Sequence, residues 1–132
     1  MDAELWSQRY ITGHAGIDAQ HRVLFALLAR VRREVAQTGD HRQVVLDLMK
    51  YVVEHFNYEL SLMRQSGYEQ VMEHHDSHQR LLGEVLALKQ IIFSRGTDHV
   101  ALEAFIGGWI QRHIGDDDRR LAEFLIDHGF NL

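Results

Sequence analysis

Apolar residues recur along most of the chain at intervals of three and four, the spacing that gathers side chains on one face of an α-helix. Glycines interrupt this pattern at Gly39, Gly67, Gly96 and Gly115, where the backbone can end one helix before the next begins. The pattern predicts four long helices and a short helical tail, at about residues 18–37, 41–65, 69–94, 98–114 and 117–128.

The short connections between the long helices predict how they pack. Consecutive helices joined by a few residues are usually antiparallel neighbours, so the expected fold is all-α, an up-down-up-down four-helix bundle. An N-terminal arm carrying Trp6, Tyr10 and Ile11 precedes the first helix, and the helical tail follows the last one. A chain of 132 residues, 45% of them hydrophobic, has the size of one domain, which we expect to span residues 1–132.

Charge and composition exclude several classes of function. The net charge is −5 and the basic runs do not exceed the pairs Arg32-Arg33 and Arg119-Arg120, so we expect no nucleic-acid partner. No segment approaches the roughly 20 apolar residues of a membrane span, and the first residues do not resemble a secretion signal, so the expected location is the cytoplasm. Because the chain has no cysteine, any metal must bind histidine or carboxylate side chains.

Polar residues interrupt the apolar faces of all four long helices. Histidine is unusually frequent, with 10 in the chain. The polar residues at core-facing positions are His21, His55, Glu59, His74, His78 and His113. In an antiparallel bundle the starts of the first and third helices lie beside the ends of the second and fourth, so these side chains should share one layer at one end of the bundle.

Such a buried layer needs a partner for its lone pairs. Each buried polar group without a partner costs about 1–3 kcal/mol, and the sum would rival the ~5–15 kcal/mol by which a domain is stable. A metal ion removes this cost. The pairs His55/Glu59 and His74/His78 are each spaced i, i+4, which places two donor groups on one helical face. The layer therefore predicts a metal site.

A second carboxylate should come from the end of the fourth helix. Asp116, Asp117 and Asp118 follow His113 closely, and the spacing alone does not choose among them, although Asp117 at i+4 would be the simplest choice in an unbroken helix. Five imidazoles and two carboxylates exceed the needs of one tetrahedral zinc, so two metals are expected. A site rich in imidazole and free of thiolate favours iron. The Glu-x-x-His motif of ferritin-like centres is absent from the sequence.

The motifs and their order resemble the haemerythrin family, especially its bacterial members. The resemblance spans nearly the whole chain. The matching positions are Trp6, Gly13, Ile17-Asp18-Ala19-Gln20-His21, His55-Phe56-x-x-Glu59 with Met63, Gly67-Tyr68, His74-x-x-x-His78 and Trp109-x-x-x-His113-Ile114-x-x-x-Asp118.

The resemblance selects Asp118 as the last ligand, because the family places its aspartate five residues after this histidine. It also implies that Glu59 and Asp118 bridge two iron ions together with a solvent-derived oxygen. The expected cofactor is therefore a non-haem di-iron centre.

The same resemblance divides the histidines between the two ions. His74, His78 and His113 would hold one iron, and His21 and His55 would hold the other. The iron with two histidines keeps an open position, where molecular oxygen binds reversibly in the family. The implied partner is molecular oxygen, with a protein partner in addition if the domain is a sensor.

Apolar residues near the ligands predict a dry oxygen pocket. Leu24, Phe56, Trp109 and Ile110 lie within about one helical turn of a histidine ligand, and Ile114 joins them by similarity to the family. Ordinary core packing is an equally good interpretation of each one. A pocket that excludes water would preserve bound oxygen.

The predicted function is reversible oxygen binding, as a carrier, store or sensor, and not catalysis, because no catalytic acid or base stands out beyond the ligands. The alternative is a di-iron enzyme that reduces peroxide or nitric oxide. A structural bundle with adventitious metal is a third interpretation. The remaining histidines lie off the apolar faces and are expected at the surface: His14, His41, His75, His99 and His128. Asp18 is expected either to cap the first helix or to orient a ligand.

Overall fold

A computed structural model describes residues 10–35, 40–96 and 99–130. Within these ranges the side chains of residues 31, 32, 34, 35, 99, 110 and 111 are not described. Trp6 and Gly39 therefore lie outside the described residues, as do the side chains of Ile110 and His99.

All the regular secondary structure of the described residues is helical. The helices are α1 (Ala15–Val35), α2 (Arg42–Ser66), α3 (Val71–Arg95), α4 (His99–Trp109), a π-helical segment (Ile110–Asp118) and α5 (Arg119–Asp127). The first three agree with the predicted helices to within a few residues at the described ends.

The four long helices form the predicted bundle. α1 packs against α2 and α4, and α3 packs against the same two helices, which closes a ring of neighbouring pairs. Glycines end α2 and α3 as predicted: Gly67 and Gly96 have φ angles of 70° and 86°, and their N–H groups donate to the carbonyls of Met63 and Ile92. This left-handed conformation costs glycine little because it has no Cβ. The all-α four-helix bundle is thus confirmed.

The end of the fourth helix differs from the prediction. We expected it to stop near residue 114, with Gly115 relaxing the backbone, whereas the helix widens into π turns from Ile110 to Asp118 and then continues as α5. Burial explains the continuation, because Leu121 and Leu125 of α5 pack against Ile17 of α1 in an apolar cluster. A break after residue 114 would leave these side chains without that contact.

The core has two apolar clusters. The larger one contains Leu24, Val52, Leu81 and Trp109, and the smaller one contains Ile17, Leu62 and Leu121 among others. In each of the four segments that form the bundle, the core-facing polar residues lie between residues of the larger cluster and residues of the smaller cluster or its edge. The polar layer is therefore enclosed by apolar side chains on both sides, and α5 covers the end of the bundle nearest to it.

The helices carry their apolar residues on one face and do not contain continuous apolar runs. Among the described residues, no helix combines the length and hydropathy needed to cross a membrane.

Candidate metal centre

The buried polar layer brings together all seven side chains that the sequence and the resemblance named. They form two groups whose potential ligand atoms lie within 4.8 Å of one another. The first group is Glu59, His74, His78, His113 and Asp118, and the second is His21, His55 and Asp118. Every member is buried, and His55, Glu59 and Asp118 are 0% exposed. These residues come from α1, α2, α3 and the π-helical segment that continues α4.

The first group gathers three imidazole nitrogens around two carboxylates. Oε1 of Glu59 lies 2.9 Å from Nε2 of His78, 3.1 Å from Nε2 of His74 and 3.5 Å from Nε2 of His113. Oδ1 of Asp118 lies 2.9 Å from Nε2 of His113 and 3.1 Å from Nε2 of His74. All three rings therefore direct the same nitrogen, Nε2, towards one small volume.

The second group has two imidazoles that reach the same carboxylates, His21 one of them and His55 both. Oδ2 of Asp118 lies 2.8 Å from Nε2 of His21 and 3.1 Å from Nε2 of His55. Nε2 of His55 is also 3.1 Å from Oε1 of Glu59. Both carboxylates thus contact histidines of both groups.

The π-helical turns determine which aspartate enters the layer. In an α-helix the side chain four residues on lies under a given residue, whereas the wider π turn brings the fifth residue there. Asp118, at i+5, therefore approaches Nε2 of His113. Asp117, the simplest choice by spacing, lies on the other side of the ring, where its Oδ2 is 3.3 Å from Nδ1 of His113.

Hydrogen bonds hold the outer ring nitrogens of two histidines. Nδ1 of His55 donates to Oε1 of Gln20 at 2.6 Å. Nδ1 of His113 donates to Asp117, and the Ser77 hydroxyl donates to the same Asp117 oxygen at 2.8 Å. A proton on Nδ1 leaves the lone pair on Nε2, the atom that points into the layer. These rings are therefore oriented as metal ligands.

The donor set fits a metal. Nε2 of His113 and Oδ1 of Asp118 approach within 2.9 Å, yet they do not form a hydrogen bond, and Oε2 of Glu59 is buried without a hydrogen-bond partner among the described residues. Buried lone pairs that converge in this way are satisfied by a cation. Imidazole and carboxylate without thiolate suit iron. The fold and these residues together define an all-α protein with a buried histidine–carboxylate metal centre.

Without metal, the layer is an ionised cluster. Burial lowers the pKa of His55, but the carboxylates of Glu59 and Asp118 outweigh it and raise that pKa to about 9. Burial also lowers the pKa of His74, but hydrogen bonds to the same carboxylates outweigh this effect and raise that pKa to about 9. His78 differs, because burial lowers its pKa to about 4. Protons therefore occupy part of this layer at neutral pH, and a metal must displace them.

The carboxylates and Asp117 remain ionised in that state. Burial raises the pKa of Glu59 and of Asp118, but the positive charge of the surrounding histidines lowers both well below their usual range. Burial also raises the pKa of Asp117, and hydrogen bonds from His113 and Ser77 outweigh it, giving a pKa of about 2.

Four residues of the expected oxygen pocket lie in the larger apolar cluster. Leu24, Phe56, Trp109 and Ile114 all belong to it. The Phe56 ring stacks on His78 with 3.9 Å between centroids, and the Trp109 centroid lies 6.2 Å from that of His55. The side chain of Ile110 lies outside the described ones, so its place in the pocket stays a prediction.

Tyr51 is a neighbour of the site that the sequence analysis missed. Its ring stacks on His55 with 5.5 Å between centroids and 11° between planes, and its centroid is 5.8 Å from that of Trp109. The Tyr51 hydroxyl and Nε1 of Trp109 are buried without hydrogen-bond partners among the described residues. Burial, and then the charges of Asp118 and Glu59, raise the pKa of Tyr51 well above its usual value. Its position one turn before His55 was the available signal.

Two histidines expected at the surface are buried. His14 is 0% exposed and caps α1, because its Nδ1 accepts a hydrogen bond from the N–H of Ile17 at 3.2 Å while its Nε2–H donates to the carbonyl of Phe130 at 2.9 Å. His41 is also 0% exposed, at the start of α2, where its N–H donates to the carbonyl of Gly96 at 2.8 Å. Both expectations were wrong, because they were based on the helical face on which each histidine would lie, whereas both residues lie where a helix begins.

The other assignments near the site have different outcomes. His75 is partly buried and belongs to neither group of potential ligands. His128 is exposed. Asp18 fulfils neither expected role: it lies inside α1 and its carboxylate accepts hydrogen bonds from the N–H groups of Thr12 and Gly13, at 2.9 and 3.1 Å. It therefore holds the loop that precedes α1.

Comparison with known proteins agrees with this picture. Residues 12–125 match the family model described as "Hemerythrin HHE cation binding domain". The chain is 29% identical over 129 residues to a protein named Bacteriohemerythrin from Stenotrophomonas maltophilia (strain R551-3), covering 94% of this chain and 82% of the relative. It is 32% identical over 107 residues to the Bacteriohemerythrin of Methylococcus capsulatus (strain ATCC 33009 / NCIMB 11132 / Bath), covering 77% of this chain and 80% of the relative.

A eukaryotic relative is similar over a comparable length. The Hemerythrin-like protein of Naegleria gruberi is 24% identical over 115 residues, which covers 87% of each chain. No solved structure matches this chain. Since the family model spans most of the sequence, the chain belongs to the haemerythrin family, and its similarity is to the bacterial members in particular.

Proposed function

We propose that this protein binds molecular oxygen reversibly at a pair of non-haem iron ions held in the buried layer. The observation that carries the proposal is the position of the two carboxylates, since Glu59 and Asp118 each lie within 3.1 Å of histidines from both groups. Carboxylates placed between two sets of imidazoles can bridge two metals, together with a solvent-derived oxygen. The proposed cofactor is therefore a carboxylate-bridged di-iron centre.

The two halves of the proposed centre are unequal. His74, His78 and His113 would hold one iron, and His21 and His55 the other. Because the second half has one imidazole fewer, its iron has room for an exogenous ligand. When bound, the iron pair supplies the electrons and the open coordination position that oxygen binding requires.

The surrounding side chains would control access to that position. Leu24, Trp109 and Ile114 are 0% exposed and pack in the larger apolar cluster, in which the Trp109 ring lies beside the rings of His55 and His113. Together with Phe56, and with Ile110 as predicted from the sequence, they form the proposed wall of the oxygen pocket. An apolar wall stabilises bound oxygen because water and protons pay a high free energy to enter a medium of low dielectric constant.

An enzyme is the second candidate, and Tyr51 is the observation that favours it. A buried phenol with no hydrogen-bond partner among the described residues, stacked on His55, could donate a proton to reduced oxygen or to peroxide. In the binding protein that we prefer, this hydroxyl stays protonated and its ring packs against the ligand.

The two functions are separated by one spectroscopic experiment. The purified protein, loaded with iron and reduced without oxygen, is mixed with oxygen and then purged with argon while its visible spectrum is recorded. We expect a new absorption band on mixing and recovery of the reduced spectrum on purging. If no band forms even transiently, and the protein instead turns over added peroxide or nitric oxide, the protein is an enzyme and the proposal of reversible oxygen binding is wrong.

The cellular role is part of the same proposal. Reversible binding suits a carrier, a store or a sensor, and a sensor would need a protein partner. We propose the cytoplasm as its location, on the composition of the chain.

A further inference from the structure

Asp117 is the aspartate that does not enter the ligand layer, and it has a separate set of contacts. Its Oδ2 accepts hydrogen bonds from Nδ1 of His113 and from the Ser77 hydroxyl, and its Oδ1 accepts one from Nη2 of Arg120 at 3.0 Å. Its neighbour Asp116 is exposed and pairs with Nε of Arg120 at 3.4 Å. Asp117 is therefore built into the site, whereas Asp116 is not.

We infer that Asp117 is a positioning residue that makes His113 a stronger electron donor and thereby favours the ferric state of the iron held by three histidines. The inference rests on the proposed function, because it concerns one half of the proposed di-iron centre. It assigns a role to a side chain that touches a ligand but does not itself belong to either ligand group.

The physical basis is the charge on the hydrogen-bond acceptor. A carboxylate that accepts the Nδ1 proton pulls it from the ring, which increases the electron density on Nε2. Greater electron donation from Nε2 stabilises Fe(III) more than Fe(II), because the ion of higher charge interacts more strongly with the donated electron pair. Ser77 and Arg120 hold the carboxylate in place through its two oxygens.

The other half of the site has a neutral acceptor in the same position. Nδ1 of His55 donates to the amide oxygen of Gln20, which carries no net charge and polarises the ring less than a carboxylate does. The hydrogen bonds of the site are thus asymmetric. Asp117 reinforces the three-histidine half, and Gln20 leaves the half with the proposed open position less electron-rich.

The test compares four single variants of the iron-loaded protein. Asp117→Asn removes the charge but keeps an oxygen that can accept the Nδ1 proton, and Asp117→Ala removes both. Asp116→Asn is the matched control, since it removes an equal charge from the adjacent residue, whose carboxylate pairs with Arg120 and forms no hydrogen bond or ion pair with His113 among the described residues. Ser77→Ala keeps the charge at residue 117 but removes a hydroxyl that contacts both Oδ2 of Asp117, at 2.8 Å, and Nδ1 of His113, at 3.3 Å. The readouts are the reduction potential, by spectroelectrochemical titration, and the rate at which a chelator removes iron.

We expect Asp117→Asn to shift the ferric-to-ferrous ratio at a fixed applied potential about tenfold towards ferrous, which is about 59 mV for a one-electron couple. Asp117→Ala should shift it at least as far and release iron about 10-fold to 100-fold faster. Ser77→Ala should fall between wild type and Asp117→Asn, and Asp116→Asn should stay close to wild type.

Two results would overturn the inference. One is an equal potential for Asp117→Asn and wild type, which would leave the residue a purely structural contact. The other is an equal shift in Asp117→Asn and Asp116→Asn, which would reduce the effect to net charge. Failure of the proposed function is distinguishable from both, because it appears in the wild type as a lack of paired iron or of reversible oxygen binding, before any variant is compared.

Discussion

Asp118 lies five residues after His113, and its Oδ1 is 2.9 Å from Nε2 of that histidine because the helix between them has π turns. The same turns direct Asp117 to the far side of the ring. One local change in helical geometry therefore separates two adjacent aspartates into a potential ligand and a support for another ligand. π turns inside α-helices occur often at functional sites.

Glu59→Ala should abolish the iron pair, because Oε1 of Glu59 lies between the two groups of histidines. Without metal, the variant should also be less stable by about 3–5 kcal/mol, since buried charged histidines lose their partner. His75→Ala is the control, from the same end of α3 as His74 but outside both groups. Iron content and the visible spectrum check the pair. Loss of iron in His75→Ala with retention in His74→Ala would show that another face of α3 binds the metal.

The stability of the metal-free protein should fall as the pH rises from 6.5 to 9. The pKa values of His55 and His74 are raised from 6.5 to about 9, so their stabilisation is complete below pH 6.5 and is lost as they deprotonate near pH 9. The lowered pKa of His78, about 4, has no effect above pH 6.5. Denaturant unfolding of metal-free protein at both pH values measures the change.

The iron-loaded protein provides the comparison for this pH effect. Metal-bound imidazoles are already deprotonated, so iron affinity should increase with pH and the loaded protein should not lose stability over the same range. A metal-free protein that is equally stable or more stable at pH 9 than at pH 6.5 would contradict the ionised cluster described above.

Leu24→Ser should speed autoxidation of the oxygen-bound protein without reducing its iron content. A cavity and a hydroxyl at this buried position let water remain beside the site. Leu28→Ser is the matched control: it is the same change one turn further along α1, at a residue that is also buried. Both variants should lose about 2–5 kcal/mol of unfolding free energy, so only the autoxidation rate, followed spectroscopically, separates them. Equal rates would remove Leu24 from the proposed pocket wall.

His14→Ala should destabilise the protein by about 1–2 kcal/mol, because it removes both the cap of α1 and the hydrogen bond to Phe130. His14→Asn should recover part of the loss, since a shorter side chain can cap the helix but cannot be expected to reach Phe130 as well. Denaturant midpoints provide the comparison. An unchanged midpoint for His14→Ala would indicate that these two contacts contribute nothing to stability, whereas iron content should be normal in both variants.

The sequence could predict the bundle and six of the seven side chains that meet in the buried layer, because both depend on one local signal, helical periodicity. His55 and Glu59 were recognisable as core-facing from spacing alone. Asp118 was not, because the choice among three adjacent aspartates depends on π turns that no simple periodicity encodes, and the resemblance to a family was needed to select it. The continuation of the fourth helix past Gly115 was missed for the same reason.

Contacts made between distant parts of the chain were equally difficult to predict. His14 is buried because its ring bridges the start of α1 and the carbonyl of Phe130, 116 residues later, and nothing near His14 in the sequence signals that contact. Tyr51 was missed for a different reason. An aromatic residue on an apolar face is the usual content of a core, and only the packed structure gives its stacking on His55.

The most direct test of the central claim is the metal content of the wild-type protein produced with iron supplied. The two groups of histidines, joined by Glu59 and Asp118, predict about two iron ions per chain, because their donors exceed what one metal can use. A content of one zinc ion per chain that persists when iron is supplied in excess would contradict the di-iron centre.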